Sequence, residues 1–291
     1  MIPIPLRRLG VQFTETWLKG SGPVLTIGPD RPLVTIGCSI DPSKRADLAN
    51  ALRRGDLKPV ADLAHAQAEA GAGVINVCVR TEGVEEAIVL PLAVRAVVGA
   101  VKLPVSVETE DPVALAAALE VCPGKPLVNA ISAREHSLKE MLPLAKLRGA
   151  AVIALAVDEA GAPHGQEKRI EMAREVLRRC ITAGIPREDV ILNPAASSLA
   201  MDPHAARDAL RAITHLTRIE QLNTTIGVHD VSRGPMGSGD IESMFAAMAA
   251  FAGVTSVMLD PLKGRGCSPI LDLLLGRDGA MERYSAAYAH R

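Results

Sequence analysis

Short runs of apolar, often β-branched residues alternate along the chain with longer stretches in which Ala, Leu, Arg and Glu recur at helical spacing. Strand-length runs separated by helix-length segments indicate βα units around a parallel sheet. The runs fall at 33–37, 74–79, 104–108, 126–131, 151–157, 190–192, 225–229 and 256–259. Helical stretches are predicted within 46–70, from 111 onward, up to about 148, over 166–183, over 202–217, over 240–251 and from about 268. Two of them open on Asp-Pro, at Asp111-Pro112 and Asp202-Pro203. Asp there accepts from free backbone N–H groups, and Pro at the first helical position loses no hydrogen bond. Eight strand-plus-helix units match a closed (β/α)8 TIM barrel of about 250 residues. An open doubly wound sheet would carry a GxGxxG turn after its first strand, and the chain has none.

Residues 1–32 precede the first barrel strand as a short N-terminal extension, leaving 33–291 for the barrel. Within the extension, apolar runs flank a Lys-Gly-Ser-Gly turn, which predicts a hairpin placed to cap the N-terminal mouth.

Composition narrows the function. Aromatic residues are 2% of the 291, too few for a base-stacking surface, and the net charge of -1 gives no field to steer the protein to nucleic acid or an anionic membrane. No run of 18 uncharged apolar residues spans a bilayer, and the start lacks the apolar core of a signal peptide, so the expected location is cytoplasmic. Five widely spaced cysteines with no CxxC pair are expected as reduced thiols.

Active sites of such barrels lie at the C-terminal ends of the strands. The residues there are Cys38 and Asp41, Asn76 and Cys78, Glu108, Asn129, Asp158, Asn193, His229 with Asp230, and Asp260. No strand end supplies the desolvated Lys of a Schiff-base enzyme. Cys38, Cys78 and His229 form a conceivable metal set, but buried cysteines are more often small core residues. Amides and carboxylates together suit a flat heterocycle with several donors and acceptors along one edge, a pterin or a purine. Each has a plainer reading as a cap or turn former. Glu108 fits that reading least, because it ends an apolar strand, where an unpaired charge is costly. The loop Arg233-Gly-Pro-Met-Gly-Ser-Gly leads into a helix and is a weak phosphate-binding signal.

Six collinear segments carry a family resemblance over 34–261. They are Ala-Gly-Ala-Gly-Val-Ile-Asn-Val (70–77), Leu-Pro-Val-Ser-Val-Glu-Thr (103–109), Leu-Val-Asn-Ala-Ile-Ser-Ala-Arg-Glu (127–135), the Gly-Ala-rich stretch 149–163, Gly-Ile-Pro-Arg-Glu-Asp-Val-Ile-Leu-Asn-Pro (184–194) and Ile-Gly-Val-His-Asp-Val-Ser (226–232). Together they resemble the methyltetrahydrofolate:corrinoid protein methyltransferases, within the pterin-binding barrels that include dihydropteroate synthase. The departures are specific. The family pattern has Asp where this chain has Asn76, Glu108 and Asn193, and Asn where it has Cys78 and Asp230; Asn129 is unchanged. Dihydropteroate synthase itself is a poorer match, because Gly-Cys-Ser-Ile-Asp-Pro-Ser follows the first strand in place of its Asn-x-Thr-x-Asp-Ser-Phe loop.

The resemblance implies transfer of a methyl group between N5 of tetrahydrofolate or methyltetrahydrofolate and the cobalt of a corrinoid (cobalamin) on a partner protein, by a homodimeric enzyme. It implies that Asp230 assists at N5, protonated through proximity to Glu108. Glu108, Asn129 and Asn193 would bind the amino-pyrimidinone edge, with Asn76 and Asp158 beside them and Arg233 reaching the glutamate tail or corrinoid. Two other readings are a non-catalytic barrel subunit that binds pterin or a corrinoid protein, and an unrelated phosphate-binding barrel using the loop 234–239.

Overall fold

The computed structural model describes residues 14–233, 239–263 and 267–288. Eight parallel strands form its centre: β3 (Val34–Ile40), β4 (Val74–Val77), β5 (Val105–Glu108), β6 (Leu127–Ser132), β7 (Ala151–Leu155), β8 (Val190–Asn193), β9 (Thr225–Gly227) and β10 (Ser256–Leu259). Their order is β8-β7-β6-β5-β4-β3-β10-β9. The two outermost strands meet again at a parallel bridge between Leu192 and Thr224, so the sheet is a nearly closed (β/α)8 barrel.

Helices line the outside: α1 (Ala46–Arg53), α2 (Lys58–Glu69), α3 (Glu86–Ala100), α4 (Pro112–Val121), α5 (Leu142–Arg148), α6 (Gln166–Ala183), α7 (Ala205–Thr214), α8 (Gly239–Ala252), α9 (Cys267–Leu274) and α10 (Ala280–Tyr288). The helical stretch 46–70 divides at Gly55, whose φ of 71° is open to glycine at no steric cost. Helix α3 has apolar residues on nearly every side and Pro91 inside it, so it shows no clean 3.6-residue stripe in the sequence. Strand β3 runs on to Ile40, past the expected end at 37. Strand β9 stops at Gly227 and tightens into a 3-10 turn, Val228–Asp230, where the pattern predicts strand to 229.

Period-two alternation sorts the strand residues into two environments. Ile75, Val77, Val107, Val128, Val152 and Leu192 pack outward against the helices. Ile36, Cys38, Val74, Leu127, Ala151, Ile153, Ile191 and Met258 fill the barrel interior.

The floor of that interior is a hairpin. Strands β1 (Thr16–Lys19) and β2 (Val24–Ile27) pair antiparallel, and Leu18 and Ile27 are fully buried in the interior cluster. The hairpin is fastened to segments that enter the strands from below. Lys19 and Lys125 exchange backbone hydrogen bonds at 3.0 and 2.8 Å, and Gly22 N–H donates to Lys102 O at 3.0 Å. Asn223 Nδ2 reaches Thr16 Oγ1 at 2.9 Å and Ile27 O at 3.1 Å. Gly20 is required here, because a Cβ would stand 2.3 Å from Leu103 O. Lys125 pairs with Asp189 and lies 4.0 Å over the Trp17 ring. Leu18→Ala is therefore expected to cost about 2–5 kcal/mol, the range for a cavity in a packed interior. Equilibrium urea unfolding checks this; a loss below about 1 kcal/mol would mean that the hairpin is not part of the core.

Candidate functional site

At the other end of the barrel the inward positions change character. Two residues beyond Val74 is Asn76, two beyond Ser106 is Glu108, two beyond Leu127 is Asn129, and two beyond Ile191 is Asn193. The same alternation that buries the apolar floor thus lifts a carboxylate and three amides into one layer at the C-terminal mouth.

Three of these bond to one another. Asn76 Nδ2 donates to Glu108 Oε2 at 2.6 Å, and Asn129 Nδ2 donates to the same oxygen at 3.1 Å. Asn76 Oδ1 in turn accepts from Ser106 Oγ at 2.9 Å and from Asn129 Nδ2 at 3.1 Å. Both amides converge on one Glu108 oxygen, which leaves Oε1 as the acceptor available to a ligand. Burial pushes the Glu108 carboxyl above its ordinary value, and the Asn76 hydrogen bond opposes but does not cancel that push.

Asn193 contributes differently. Its Oδ1 accepts from Ala195 N–H at 3.0 Å, closing a turn in which Ala195 has a φ of 57°. Its Nδ2 is the face it can offer a ligand. Asp158 is occupied by its own turn: Oδ1 accepts from Ala160 N–H at 2.9 Å, while Arg134 Nε bonds its carbonyl at 3.3 Å. Of the expected edge-binding residues, the structure thus joins Asn76, Glu108 and Asn129 directly and places one oxygen of Asp158 in a local turn.

Across the mouth, Asp230 takes a partner other than the expected one. Like-charge repulsion from a neighbouring Glu108 was expected to favour its protonated form; the bonded neighbour is instead Arg233, whose Nη2 donates to Asp230 Oδ1 at 2.7 Å. The pairing follows from spacing, since Asp230 and Arg233 are three residues apart on a tight turn. It also engages Arg233, expected to reach outward to a ligand tail. His229 Nε2 lies 3.6 Å from the same oxygen. Burial holds the His229 imidazole below its ordinary value, and its buried Nδ1 has no partner among the described residues. The glycine-rich segment 234–238 lies outside the described residues, and with it most of the phosphate-loop reading.

The remaining strand-end residues pair locally. Asp260 Oδ1 accepts from Ser39 Oγ at 2.5 Å, and its Oδ2 lies 3.5 Å from Arg45. Burial raises the Asp41 carboxyl, but the Ser43 hydrogen bonds and the Lys44 charge outweigh it and hold it below its ordinary value. Lys44 itself was missed by a search confined to strand ends. It sits on the turn after β3, 3.0 Å from Asp41 Oδ2, and supplies a cation close enough to influence both Glu108 and His229. Ser106 was also missed, although the Val-Ser-Val-Glu alternation places it on the same face as Glu108. The Cys38 and Cys78 thiols are buried and pushed up to about 12, which suits core packing. Among the described residues, no three His, Cys, Asp or Glu side chains gather to hold a metal ion.

Comparison with known proteins bears on this arrangement. A family model described as pterin binding enzyme matches residues 42–260, which includes Asn76, Glu108, Asn129, Asn193 and Asp230. The chain belongs to the pterin-binding enzyme family. Within it, the chain is 27% identical over 243 residues to a methylcorrinoid:tetrahydrofolate methyltransferase of Eubacterium limosum, covering 82% of this chain and 90% of that one. It is 22% identical over 248 residues to the methionine synthase of Mycobacterium tuberculosis, covering 80% of this chain but 21% of that longer protein. The pterin-binding barrel is shared with solved dihydropteroate synthases. That of Xanthomonas albilineans superposes with a TM-score of 0.66 at 17% identity, covering 94% of this chain and 99% of that one. That of Yersinia pestis, with a pterine-sulfa conjugate, gives 0.63 at 20% identity over 90% and 100% of the two chains. At these identities the likeness is one of fold.

Proposed function

We propose that this pterin-binding enzyme moves a methyl group between N5 of a tetrahydrofolate-type pterin and the cobalt of a corrinoid carried by a partner protein. The observation that carries the reading is the Glu108 carboxylate, with one oxygen fixed by Asn76 and Asn129 and the other open to the mouth. The 2-amino and ring N–H groups of a pterin present adjacent donors, and a carboxylate receives such donors better than any neutral side chain. Asn129 Oδ1 and Asn193 Nδ2 extend the edge with one acceptor and one donor. The methyltransferase among the relatives supports the choice of reaction.

The corrinoid supplies a cobalt that exchanges a methyl group with N5. What this chain supplies is control of charge at N5, because a tertiary amine leaves poorly unless it carries a proton. Asp230, held by Arg233 at 2.7 Å, offers a carboxyl group at the rim. It stabilises the positive charge on protonated N5, directly or through one water. Direct proton donation from Asp230 to N5 is the other form that its assistance could take.

The test is to titrate the protein with methyltetrahydrofolate and then add cob(I)alamin, following methylcobalamin by its absorbance. Saturable binding with methyl transfer supports the reading. Binding without transfer, to free cobalamin or to corrinoid protein, favours a pterin-binding subunit instead. The absence of any pterin binding overturns both.

A homodimer is part of the proposal. Helix α8 buries Phe245, Ala246 and Ala249 against the barrel, yet its outer face carries Met244, Met248 and Phe251 at 55–66% exposure. A groove of about 480 Å³ between α7 and α8 runs past Leu210, Met248 and Phe251. A helix that is apolar on both faces is suited to being covered on both. A second copy is the occupant assigned here, and Phe251→Glu is expected to convert dimer to monomer in sedimentation velocity. Wild-type protein sedimenting as a monomer at micromolar concentration would refute this.

A further inference from the structure

Arg169, on the first turn of α6, is fully buried. Its Nη1 donates to the carbonyls of Ala195 at 2.5 Å and Pro194 at 3.2 Å. Among the described residues, no carboxylate bonds to it, and its Nε and Nη2 are buried without partners. Such burial is expensive: a guanidinium out of water, compensated by two backbone dipoles, is a poor way to stabilise a fold. An apolar side chain of similar volume would do that better. Burial accordingly presses the Arg169 group below its ordinary value, against the distant charges of Asp202 and Asp208.

The carbonyls that it grips belong to the turn that leaves β8. Pro194 has no N–H and a fixed φ, and Ala195 stands at a φ of 57°, where a side chain is strained. From the barrel side, the Asn193 side chain bonds Ala195 N–H at 3.0 Å. The Ala195 peptide is thus held from the two sides at once, by a guanidinium from the outer wall and by the Asn193 amide from the mouth.

We infer that Arg169 is a positioning residue, whose grip on the Pro194 and Ala195 carbonyls holds the strained turn that aims the Asn193 amide at the ligand. The inference rests on the proposed function for its ligand, but the turn itself can be observed without one. Without the grip, Ala195 relaxes toward negative φ, the Asn193–Ala195 bond is lost, and Asn193 Nδ2 is free to rotate away.

The experiment compares Arg169→Met, Arg169→Lys and Asn193→Ala, singly and with Arg169→Met and Asn193→Ala combined. Dissociation constants for methyltetrahydrofolate and hydrogen exchange at the Ala195 amide are measured on each. Arg169→Met is expected to raise the dissociation constant about tenfold, as for loss of one well-aligned hydrogen bond. It should add less than twofold on top of Asn193→Ala, and it should accelerate exchange at Ala195. Arg169→Lys, with one donor group in place of the fork, should fall between Arg169→Met and wild type, and it carries the test if Arg169→Met does not fold. Wild-type affinity in the Arg169 variants would overturn the inference. So would a tenfold loss that persists undiminished in the Asn193→Ala background. If the wild-type protein binds no methyltetrahydrofolate, the functional reading falls. Exchange at Ala195 then decides alone: acceleration supports the grip on the turn, and unchanged exchange overturns it.

Discussion

Glu108→Gln is expected to weaken methyltetrahydrofolate binding about a hundredfold or more while making the free protein more heat-stable, because the two effects have one cause. A Gln side chain still offers an oxygen to the Asn76 and Asn129 amides, so the network of the mouth survives. Its nitrogen then faces the ligand, and donor meets donor where a carboxylate had met donors. Losing charge-assisted hydrogen bonds and leaving polar groups unpaired accounts for a loss of about two orders of magnitude. The gain in stability comes from burial. The folded-state pKa of Glu108 is raised above its ordinary 4.5, so the folded protein prefers the protonated form. The stabilisation linked to that preference is present in full below the unfolded pKa and is lost as pH rises through the raised folded value. Above the raised folded value the wild type bears the cost of a buried anion that the Gln variant lacks. Calorimetry across pH should show the stability gap closing in acid, and a variant that is less stable than wild type at pH 7 would contradict this account.

The second expectation concerns the reaction rather than the complex. Asp230→Ala should lower the rate of methyl transfer by about 10²–10⁴, the contribution usual for a group that manages a proton in the transition state. The dissociation constant for the pterin should stay within a few-fold of wild type. Asp230→Asn, which restores the residue of the family pattern, should keep more activity than Asp230→Ala, because an amide still accepts a hydrogen bond from protonated N5. Arg233, released from its 2.7 Å pair in either variant, makes salt dependence a useful second reading. Single-turnover kinetics with saturating pterin separate the outcomes. Near-normal transfer in Asp230→Ala would remove that residue from the mechanism.

The barrel was legible because strands buried on both faces read as apolar runs, and the runs at 151–157 and 256–259 have little else they can be. Placement of the amides at the mouth was legible for a related reason. Glu108 and Asn193 close apolar strands, Asn76 and Asn129 lie within theirs, and the period of two decides which way they point. Pairing was not legible. That two amides share a single Glu108 oxygen depends on register between strands, which one chain read alone does not contain. Lys44 lay hidden because it stands on a turn beyond a strand end, and Arg169 because it looks like any charge on an amphipathic helix until its burial is seen. The Asp230–Arg233 pair was the most recoverable, since both residues lie within one turn of each other in sequence.

The hairpin under the barrel has a bearing on traffic. Among the described residues, Leu18 and Ile27 fill the end of the barrel opposite Glu108, so a ligand is expected to enter from the other end. That end carries Lys44 beside Asp41 and Arg233 beside Asp230. A bulky second reactant seated on that rim would act as a lid on the first. The chemistry proposed here then has a compulsory itinerary: the pterin is first in and last out, and the partner's residence time limits how soon the pterin can depart.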